Sequence, residues 1–537
     1  MEEKLGWQAV VDKKRQIQQD LLKSHVRQEV QTDVSDDGDS AVDVGAFSNL
    51  AVQLARGELS CENVMKAHIN RACKAHAKTN CLTEILFDDA LRRARELDIY
   101  FKKHGRTIGP LHGIPMTVKD QFDIAGFDST IGYVGRAFRP AAKNSVLVDM
   151  LQKLGAIVMA KTNLPQSIMW CETENPLWGL TTNPLHAGYT PGGSTGGESA
   201  LLASGASVVG WGTDIGGSVR IPSHMMGLYG FKPSHARLPY RGVPVSTEGQ
   251  EHVPSSVGPM ARSLDAVYTA FKSLVERKPW DFDARCAAIA WREDLYQSHF
   301  DRPLVIGVLY DDEVVRPHPP ITRVLRDTVE MLRRKGHEIV EWNARLHAEC
   351  VDVLDQFYRA DGGEDIREAV NAGGEPFIEH VQKLIDSGSP ITVYQYWQLN
   401  KKKWELQQQY LDKWNAIGAA HSDQPVNVLI MPPMPHTSVP HRSCRWVGYT
   451  KVWNVLDYPA IVIPAGHVQE QDISEPWSFE PRNAIDEFNG RLWTDNKQDM
   501  TSLKLPVGVQ IVGRRQADET VLAAAKIVDD ILRAVSK

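Results

Sequence analysis

The sequence predicts an α/β fold in which a central mixed, mostly parallel sheet is covered by helices on both faces. Short apolar segments typical of buried strands alternate with helical runs, as in the succession of residues 114–118, 146–154 and 156–160. Such alternation is typical of parallel strands joined by crossover helices. The chain has 537 residues, which is long for a single core, but large α/β enzymes can form one continuous body.

The first 45 residues (1–45) are predicted to precede the main body, residues 46–537. Within residues 4–30, apolar side chains recur at roughly helical spacing, which predicts one or two amphipathic helices. We expect these helices to pack on the body, and contact with a membrane surface or with a second subunit is the alternative. Residues 32–45 are acidic and are expected to form a solvated linker.

Within the body, capping residues and apolar periodicity predict the remaining elements in order. Ser60 and Ser263 each precede an apolar helical run and can cap it. The expected helices cover residues 47–57, 60–76, 88–100, 146–154, 198–203, 263–275 and 321–335, one that starts within 163–171, a helical insertion at about 344–420, and a closing helix from 518. The expected strands are 114–118, 156–160, 207–211, 304–309, 337–342 and 428–431, with two more in LDYPAIVIPAG and PVGVQIVG.

Two glycine-rich turns, at residues 191–198 and 213–218, each carry a serine, Ser194 and Ser218. The first turn lies at a helix N-terminus, where free N–H groups favour negative charge. The second follows a strand and can direct successive N–H groups at one point. Backbone donors beside a serine suit acyl transfer through a serine nucleophile. A phosphate-binding loop, or tight packing of strand against helix, is the alternative at this point.

Lys119 stands at the end of an apolar strand-like segment, where a lysine is seldom buried without a partner. An ion pair with Asp120 or Asp123 is one explanation. The other is a desolvated lysine that acts as a base, since burial lowers a lysine pKa by up to roughly 3–5 units.

Several longer motifs occur in a fixed order along the chain: GIPMTVKD, KTNLPQS, PGGSTGGE, GTDIGGSVRIP and YGFKPSHARLPY, then VGPMARSLD, PWDFD, LDYPAIVIPAG and LPVGVQIVGRR. On these motifs the chain resembles the amidase signature family, and within it the fungal acetamidase-like branch. The resemblance covers most of the chain, from about residue 47 to the C-terminus. It implies the amidase signature fold for the body.

By motif position, the resemblance implies that Lys119 is the catalytic lysine, Ser194 the bridging serine on a cis peptide, and Ser218 the acylated nucleophile. It implies an oxyanion hole formed by the backbone N–H groups of Ile215, Gly216, Gly217 and Ser218.

Further residues are expected to support this site. An Asp214–Arg220 pair should hold the second turn, and Thr195 stands where the family commonly has a second serine. Ile168, Met169 and Cys171 fall near the family's acyl pocket and are expected either to contact substrate or to fill the core; for Cys171 the expected role is that of a small hydrophobic residue.

The resemblance implies an amidase that hydrolyses a carboxylic amide to the acid and ammonia through a Ser-Ser-Lys relay and an acyl-enzyme. Small acetamide-like or aryl-acetamide substrates are expected. The alternatives are a fatty-acid-amide-type hydrolase and a catalytically idle binding protein of the same fold. A third interpretation makes GGSTG an α/β-hydrolase nucleophile elbow with Ser194 as nucleophile, but it leaves Lys119 and the Ser218 turn unexplained.

Composition excludes several other classes. The formal net charge of −7 argues against general nucleic-acid binding, and no apolar run is long enough to predict a transmembrane segment. The seven cysteines are scattered without a CxxC pair, and no HExxH motif occurs, so neither a disulfide framework nor structural zinc is expected. The reaction that the resemblance implies uses no metal and no cofactor. We expect a reduced, cytoplasmic location, a small-molecule amide as the ligand and, by analogy alone, a homodimer.

Overall fold

The computed structural model describes residues 6–29, 47–421, 425–474, 477 and 479–535. The predicted acidic linker at 32–45 lies outside these residues. No helix in the described ranges is long and apolar enough to cross a membrane.

A large mixed sheet forms the centre of the molecule. Among the described residues it has 11 strands in the order β1-β3-β2-β6-β8-β7-β12-β13-β11-β9-β10, and β4 and β5 form a separate two-stranded sheet. The strands are β1 (Leu82–Ile85), β2 (Pro115–Lys119), β3 (Ile157–Thr162), β4 (Glu174–Asn175), β5 (Gly179–Leu180), β6 (Val209–Asp214), β7 (Tyr229–Lys232), β8 (Ser256–Ala261), β9 (Val305–Val308), β10 (Glu338–Glu341), β11 (Val428–Met431), β12 (Ala460–His467) and β13 (Pro506–Val512).

The parallel pairs of the sheet lie in two groups of three strands. Strands β3, β2 and β6 are parallel, and so are β11, β9 and β10. The other strand pairs described in this sheet are antiparallel. Antiparallel pairs are therefore more numerous than the alternation of strands and helices predicts. The reason is that two strands are inserted between strands of the opposite direction. β8 lies between β6 and β7, which run in the same direction as each other, and β12 lies in the same way between β7 and β13.

Helices surround this sheet. In the described part of the chain they are α1 (Trp7–Glu29), α2 (Phe47–Arg56), α3 (Cys61–Thr79), α4 (Phe87–His104), α5 (Val146–Lys153), α6 (Gly196–Ala203), α7 (Arg220–Met226), α8 (Leu264–Glu276), α9 (Glu293–Gln297), α10 (Pro319–Arg334), α11 (His347–Tyr358), α12 (Glu364–Gly373), α13 (Glu379–Asp386), α14 (Val393–His421), α15 (Gly448–Val455), α16 (Gln471–Ser474), α17 (Ala484–Ser502) and α18 (Asp518–Val535).

Both faces of the sheet are buried, as neighbouring residues of β11 demonstrate. Ile430 belongs to one hydrophobic core, whereas Leu429 and Met431 belong to a second core. Successive side chains of a strand point to opposite faces, so the two cores lie on opposite sides of the sheet. The predicted α/β class, with a mixed sheet covered by helices, is confirmed.

Among the segments that differ from the sequence-based expectation are residues 163–171 and the segment after β12. The helix expected to start within residues 163–171 does not form: a short 3-10 turn, Gln166–Ile168, stands there instead. Ser167 and Ile168 have φ values of 68° and 59°, in the left-handed region that no right-handed helix contains. The polar segment after β12, for which no helix was expected, contains the 19-residue α17.

Within residues 6–29, the described part of the N-terminal segment, the chain forms one long helix, α1, that packs on the body. Lys14 lies between Asp128 (Nζ to Oδ2, 2.7 Å) and Glu84 (Nζ to Oε1, 2.6 Å). Gln18 donates to the backbone carbonyls of Leu82 and Thr83, next to β1. The division of the chain into segments 1–45 and 46–537 stays a prediction.

Helices α11–α14 occupy the region of the predicted helical insertion. Tyr410 and Trp414 of α14 are fully buried, whereas Tyr394, Trp397 and Trp404 are each more than 60 % exposed. The aromatic side chains of this long helix therefore divide between packing and solvent.

Candidate active site

Lys119 ends β2, inside the molecule. Its side chain is fully buried, and Nζ donates to Ser194 Oγ at 2.6 Å and to Thr213 Oγ1 at 3.4 Å. Burial lowers the pKa of Lys119 to about 7, although the charge of Asp214 opposes this shift. Neither Asp120 nor Asp123 forms an ion pair with Lys119 in the described structure. Near neutral pH, a large fraction of this amine is therefore uncharged.

Ser194 lies in a loop in which the preceding position has room only for glycine. The Gly193–Ser194 peptide bond is cis. A Cβ atom on Gly193 would lie 2.4 Å from the carbonyl oxygen of Glu172, so the two backbone segments touch. Glu172 is itself anchored, because its carboxyl accepts from the N–H groups of Arg442 (2.6 Å) and Cys444 (2.8 Å). The loop is therefore tightly packed around the serine.

Asp214 and Arg220 pair beneath the turn that carries Ser218. Both side chains are fully buried, with Arg220 Nε 2.9 Å from Asp214 Oδ2 and Nη2 2.8 Å from Oδ1. Although burial alone would raise the pKa of Asp214, the Arg220 guanidinium holds it well below its usual range. The side-chain oxygens of Asn454 and Gln510 also accept hydrogen bonds from Arg220. This buried bidentate pair fixes the turn from below.

In the described structure, some backbone N–H groups of the Ser218 turn are free to donate. Gly217 N–H donates to Asp214 Oδ1 at 2.9 Å. For the N–H groups of Ile215, Gly216 and Ser218, the residues that the structure describes provide no acceptor.

The carbonyls of the same turn are held from the opposite side. Tyr358 OH donates to Ile215 O at 3.1 Å, and Thr450 Oγ1 donates to Gly216 O at 2.6 Å. In a trans peptide the C=O and N–H groups point in opposite directions. The bond from Tyr358 therefore directs Gly216 N–H away from α11.

Ser194 and Ser218 line one narrow cavity of about 20 Å³. Its other walls are Ile168, Met169, Thr213, Ile215, Val245, Ser246, Gln250 and Ser255. A cavity of this volume accommodates about one water molecule. It brings Ser194 and Ser218 to a single small space, with Ile215 beside them.

The other predicted residues have different surroundings. Ile168 and Met169 line the cavity, but Cys171 does not: its Sγ donates to Cys444 O at 3.4 Å within the core. Thr195 is fully buried against Gly212 of β6, and its hydroxyl has no hydrogen-bond partner among the described residues. The side chain of Thr195 therefore contacts its surroundings by packing alone.

Several polar residues around the site carried no signal of their own in the sequence. Thr213 Oγ1 donates to Gln121 Oε1 at 2.7 Å and thus links the lysine to the residue two positions beyond it. Tyr358, Thr450, Asn454 and Gln510 come from distant elements. Thr450, Asn454 and Gln510 lie in or near the motifs LDYPAIVIPAG and LPVGVQIVGRR, whereas Tyr358 lies in none of the motifs quoted above.

Glu198, in the first turn of α6, was also not predicted. Its carboxyl is fully buried and accepts from Thr162 at 2.8 Å and from Thr117. Burial raises the pKa of Glu198 to about 8, and the two threonine hydroxyls oppose this shift. Near neutral pH the carboxyl is therefore mostly protonated. In the described residues, no group of three or more His, Cys, Asp or Glu side chains is arranged to hold a metal ion.

Comparison with known proteins finds relatives along most of the chain. The Amidase family profile matches residues 63–522. Amidase 1 of Gibberella moniliformis is 50% identical over 528 residues, 98% of this chain and 99% of that protein. An acetamidase of Aspergillus oryzae is 36% identical over 490 residues, 90% of this chain and 89% of that protein.

Comparison of the whole structure finds the same kind of relative. A solved structure described as fatty acid amide hydrolase superimposes with a TM-score of 0.84 at 29% identity, over 99% of this chain and 91% of that chain. The expected amidase signature fold is confirmed by this likeness. With a profile match over most of its length and a relative at half identity, the chain belongs to the amidase family and is an amide hydrolase.

Proposed function

We propose that this chain hydrolyses carboxylic amides through a relay from Ser218 to Ser194 to Lys119. The observation that carries the proposal is the 2.6 Å contact between Ser194 Oγ and a fully buried amine of lowered pKa. A neutral amine at that distance can accept the proton of the serine hydroxyl. The cavity that Ser194 and Ser218 share supports the other proton transfer of the relay, from Ser218 to Ser194.

The reaction begins when Ser218 Oγ attacks the amide carbonyl. Its proton passes to Ser194 Oγ while the proton of Ser194 passes to Lys119 Nζ. The carbonyl oxygen becomes an oxyanion that accepts from the free N–H groups of Ile215, Gly216 and Ser218; Gly217, the fourth expected donor, already donates to Asp214. Removal of one oxyanion donor in another enzyme costs about 2.7–4 kcal/mol of barrier.

Collapse of the tetrahedral intermediate breaks the C–N bond. The proton on Lys119 returns through Ser194 to the leaving nitrogen, which departs as ammonia from a primary amide. The acyl group stays on Ser218 Oγ as an ester. Water then attacks that ester by the same relay and releases the carboxylic acid and free Ser218.

We propose small acetamide-like or aryl-acetamide substrates. Two observations favour a small acyl group: the narrow cavity beside Ser218, and the 36% identity to a protein named acetamidase. A fatty-acid-amide-type hydrolase is the second candidate, favoured by the fold likeness at a TM-score of 0.84.

Ammonia release from primary amides of graded acyl length distinguishes these two candidates. We expect kcat/KM to be highest for acetamide or an aryl acetamide and to fall as the acyl chain lengthens. A rise with chain length toward fatty amides would instead support the second candidate.

Labelling with a fluorophosphonate tests the relay itself. We expect label on Ser218 in the wild type, none in Ser218→Ala, slow labelling in Ser194→Ala, and normal labelling in the control Ser502→Ala, which removes an exposed hydroxyl. Loss of all labelling in Ser194→Ala with label on Ser194 in the wild type would identify the elbow mechanism. A folded wild type that takes no label and releases no ammonia would indicate an idle binding protein.

A further inference from the structure

A second cavity, about 760 Å³ in volume, opens beside α5 and shares no lining residue with the cavity of Ser194 and Ser218. We call it the basic cleft, because five cationic side chains line it: Arg136, Arg139, Lys143, Lys153 and Arg241. Its volume lies in the range of about 300–1,000 Å³ that is usual for small-molecule sites.

The charges of the basic cleft are mostly uncompensated. In the described part of the chain, none of the five cations forms an ion pair with a carboxylate. Two carboxylates, Asp123 and Asp149, also line the cleft, and Asp149 accepts from Asn144 at 2.8 Å. The cleft therefore carries a formal net charge of +3 in a chain whose net charge is −7. Like charges repel, so five cations lining one concave site with only two carboxylates among them favour an anion from outside.

A buried lysine stands behind the wall of the cleft. Lys161 is fully buried, and its Nζ donates to Ser129 Oγ at 2.9 Å. Ser129 lines the cleft, and no described residue accepts its hydroxyl proton. A hydroxyl that accepts from an amine keeps its own proton for a second partner. Ser129 can therefore donate a hydrogen bond to a ligand in the cleft.

One wall of the cleft is aromatic. Phe282, a residue that is 45% exposed, lines it, and Lys153 Nζ lies 5.2 Å from the centroid of its ring. An exposed aromatic face next to cations suits a ligand that combines anionic groups with a carbon skeleton. An inorganic ion alone would leave this apolar surface and most of the volume unused.

We propose that the basic cleft binds a small organic polyanion, that is, a molecule with at least two phosphate or carboxylate groups. The cations hold the anionic oxygens, Ser129 donates to one of them, and the carbon skeleton contacts Phe282. The site is separate from the amide-hydrolysing site, although one loop serves both: Pro244 lines the cleft and the next residue, Val245, lines the other cavity.

Titration calorimetry of the full chain with pyrophosphate, citrate and adenosine diphosphate tests the proposal. We expect saturable binding of at least one probe that weakens as ionic strength rises. Binding of the two phosphate compounds alone would identify phosphate as the recognised group, and binding of citrate alone would identify carboxylate. A wild-type chain that binds none of the three overturns the proposal.

Charge variants locate the binding. Arg139→Ala/Arg241→Ala removes two exposed cations of the cleft and is expected to weaken binding by about tenfold or more, a loss of about 1.4 kcal/mol or more. The matched control Arg333→Ala/Arg334→Ala removes two exposed cations of α10, outside the cleft, and is expected to bind as the wild type does. Equal weakening in both double variants would mean general attraction by charge and would overturn the proposal. If the cleft double variant does not fold, Lys143→Gln, an exposed single change, takes its place.

One more variant separates this inference from the proposed reaction. Ser218→Ala is expected to bind the polyanion with unchanged affinity, because Ser218 does not line the cleft. Loss of binding in Ser218→Ala would place the probe in the other cavity and overturn the inference, whatever the outcome for amide hydrolysis.

Discussion

Lys119 differs from the other fully buried lysines in what its amine contacts. Lys161 and Lys232 each donate to a backbone carbonyl, of Asp128 and Pro233 respectively, and a carbonyl has no proton to give. Lys161 also donates to the hydroxyl of Ser129, but Ser129 does not line the cavity of Ser194 and Ser218. The amine of Lys119 contacts two hydroxyl groups that do line this cavity, those of Ser194 and Thr213.

This environment predicts the pH dependence of amide hydrolysis. Because burial lowers the pKa of Lys119 to about 7, the amine is protonated below that pH and cannot accept a proton. We expect kcat/KM to fall about tenfold for each pH unit below 7 and to level off above it. Initial rates of ammonia release measure the profile. A kcat/KM that is constant between about pH 5 and 9 would exclude Lys119 as the base.

Tyr358 is expected to position the oxyanion donors without touching the substrate carbonyl. Tyr358→Phe removes only the hydroxyl that donates to Ile215 O, so Gly216 N–H loses its fixed direction. We expect kcat to fall roughly tenfold with KM little changed, because the oxyanion exists only in the transition state and the intermediate.

Steady-state kinetics of a matched variant provide the comparison. Tyr394→Phe removes an exposed hydroxyl from α14 and is expected to leave both constants unchanged. A Tyr358→Phe variant that raised KM but kept kcat would show that the hydroxyl serves ground-state binding instead.

At the scale of elements, Glu198 connects α6 to two neighbouring strands. Its carboxyl lies between Thr117 of β2 and Thr162 of β3, where water does not reach. Folding therefore moves this group from an ordinary pKa of 4.5 to one of about 8. Between these values the folded state binds a proton that the unfolded state has lost, so stability falls as pH rises.

Glu198→Gln tests this linkage, since the amide cannot ionise and has nearly the same shape. We expect the free energy of unfolding of the wild type, relative to the variant, to fall by up to ~1.4 kcal/mol per pH unit between about pH 5 and 8. Urea unfolding at several pH values measures it. Parallel stability curves for the two proteins would contradict the raised pKa of Glu198.

Prediction of the elements succeeded where local signals determine the backbone. The helix after Ser60 begins at Cys61, with Ser60 Oγ accepting from Asn63 N at 3.2 Å, and β11 has the expected bounds. It failed at 163–171, where Ser167 N donates to Ile131 O and Ser246 donates to Ser167 O. These partners are distant in sequence, so no local pattern reports them.

At the scale of the whole molecule, a buried cation is one of the groups that attach α1 to the body. Lys14 is 8% exposed and forms ion pairs with Glu84 and Asp128. Asp128 also accepts from Phe138 N–H at 2.7 Å, so the lysine joins α1 to a loop and to β1. These contacts support the expectation that the N-terminal helix packs on the body.

Lys14→Met leaves both carboxylates buried without their cation, and such a change typically costs about 3–5 kcal/mol. We expect a clearly lower Tm in thermal unfolding followed by circular dichroism. Lys23→Met, at an exposed position of the same helix, is the control and is expected to keep the wild-type Tm. Equal Tm values for the two variants would mean that α1 contributes nothing to stability through this pair.

By itself, the sequence determined the fold class, the family and the residues proposed for the relay, Lys119, Ser194 and Ser218, because the glycine turns and the strand end are local features with recognisable motifs. The predicted homodimer stays a prediction. Tertiary structure alone decided which groups surround these residues. Tyr358 and Gln510 reach the Ser218 turn from 140 or more positions away, and the basic cleft assembles cations from α5 and from separate segments before and after it. Contacts between such distant positions depend on how the sheet and helices pack, and that packing leaves no periodic trace in the chain.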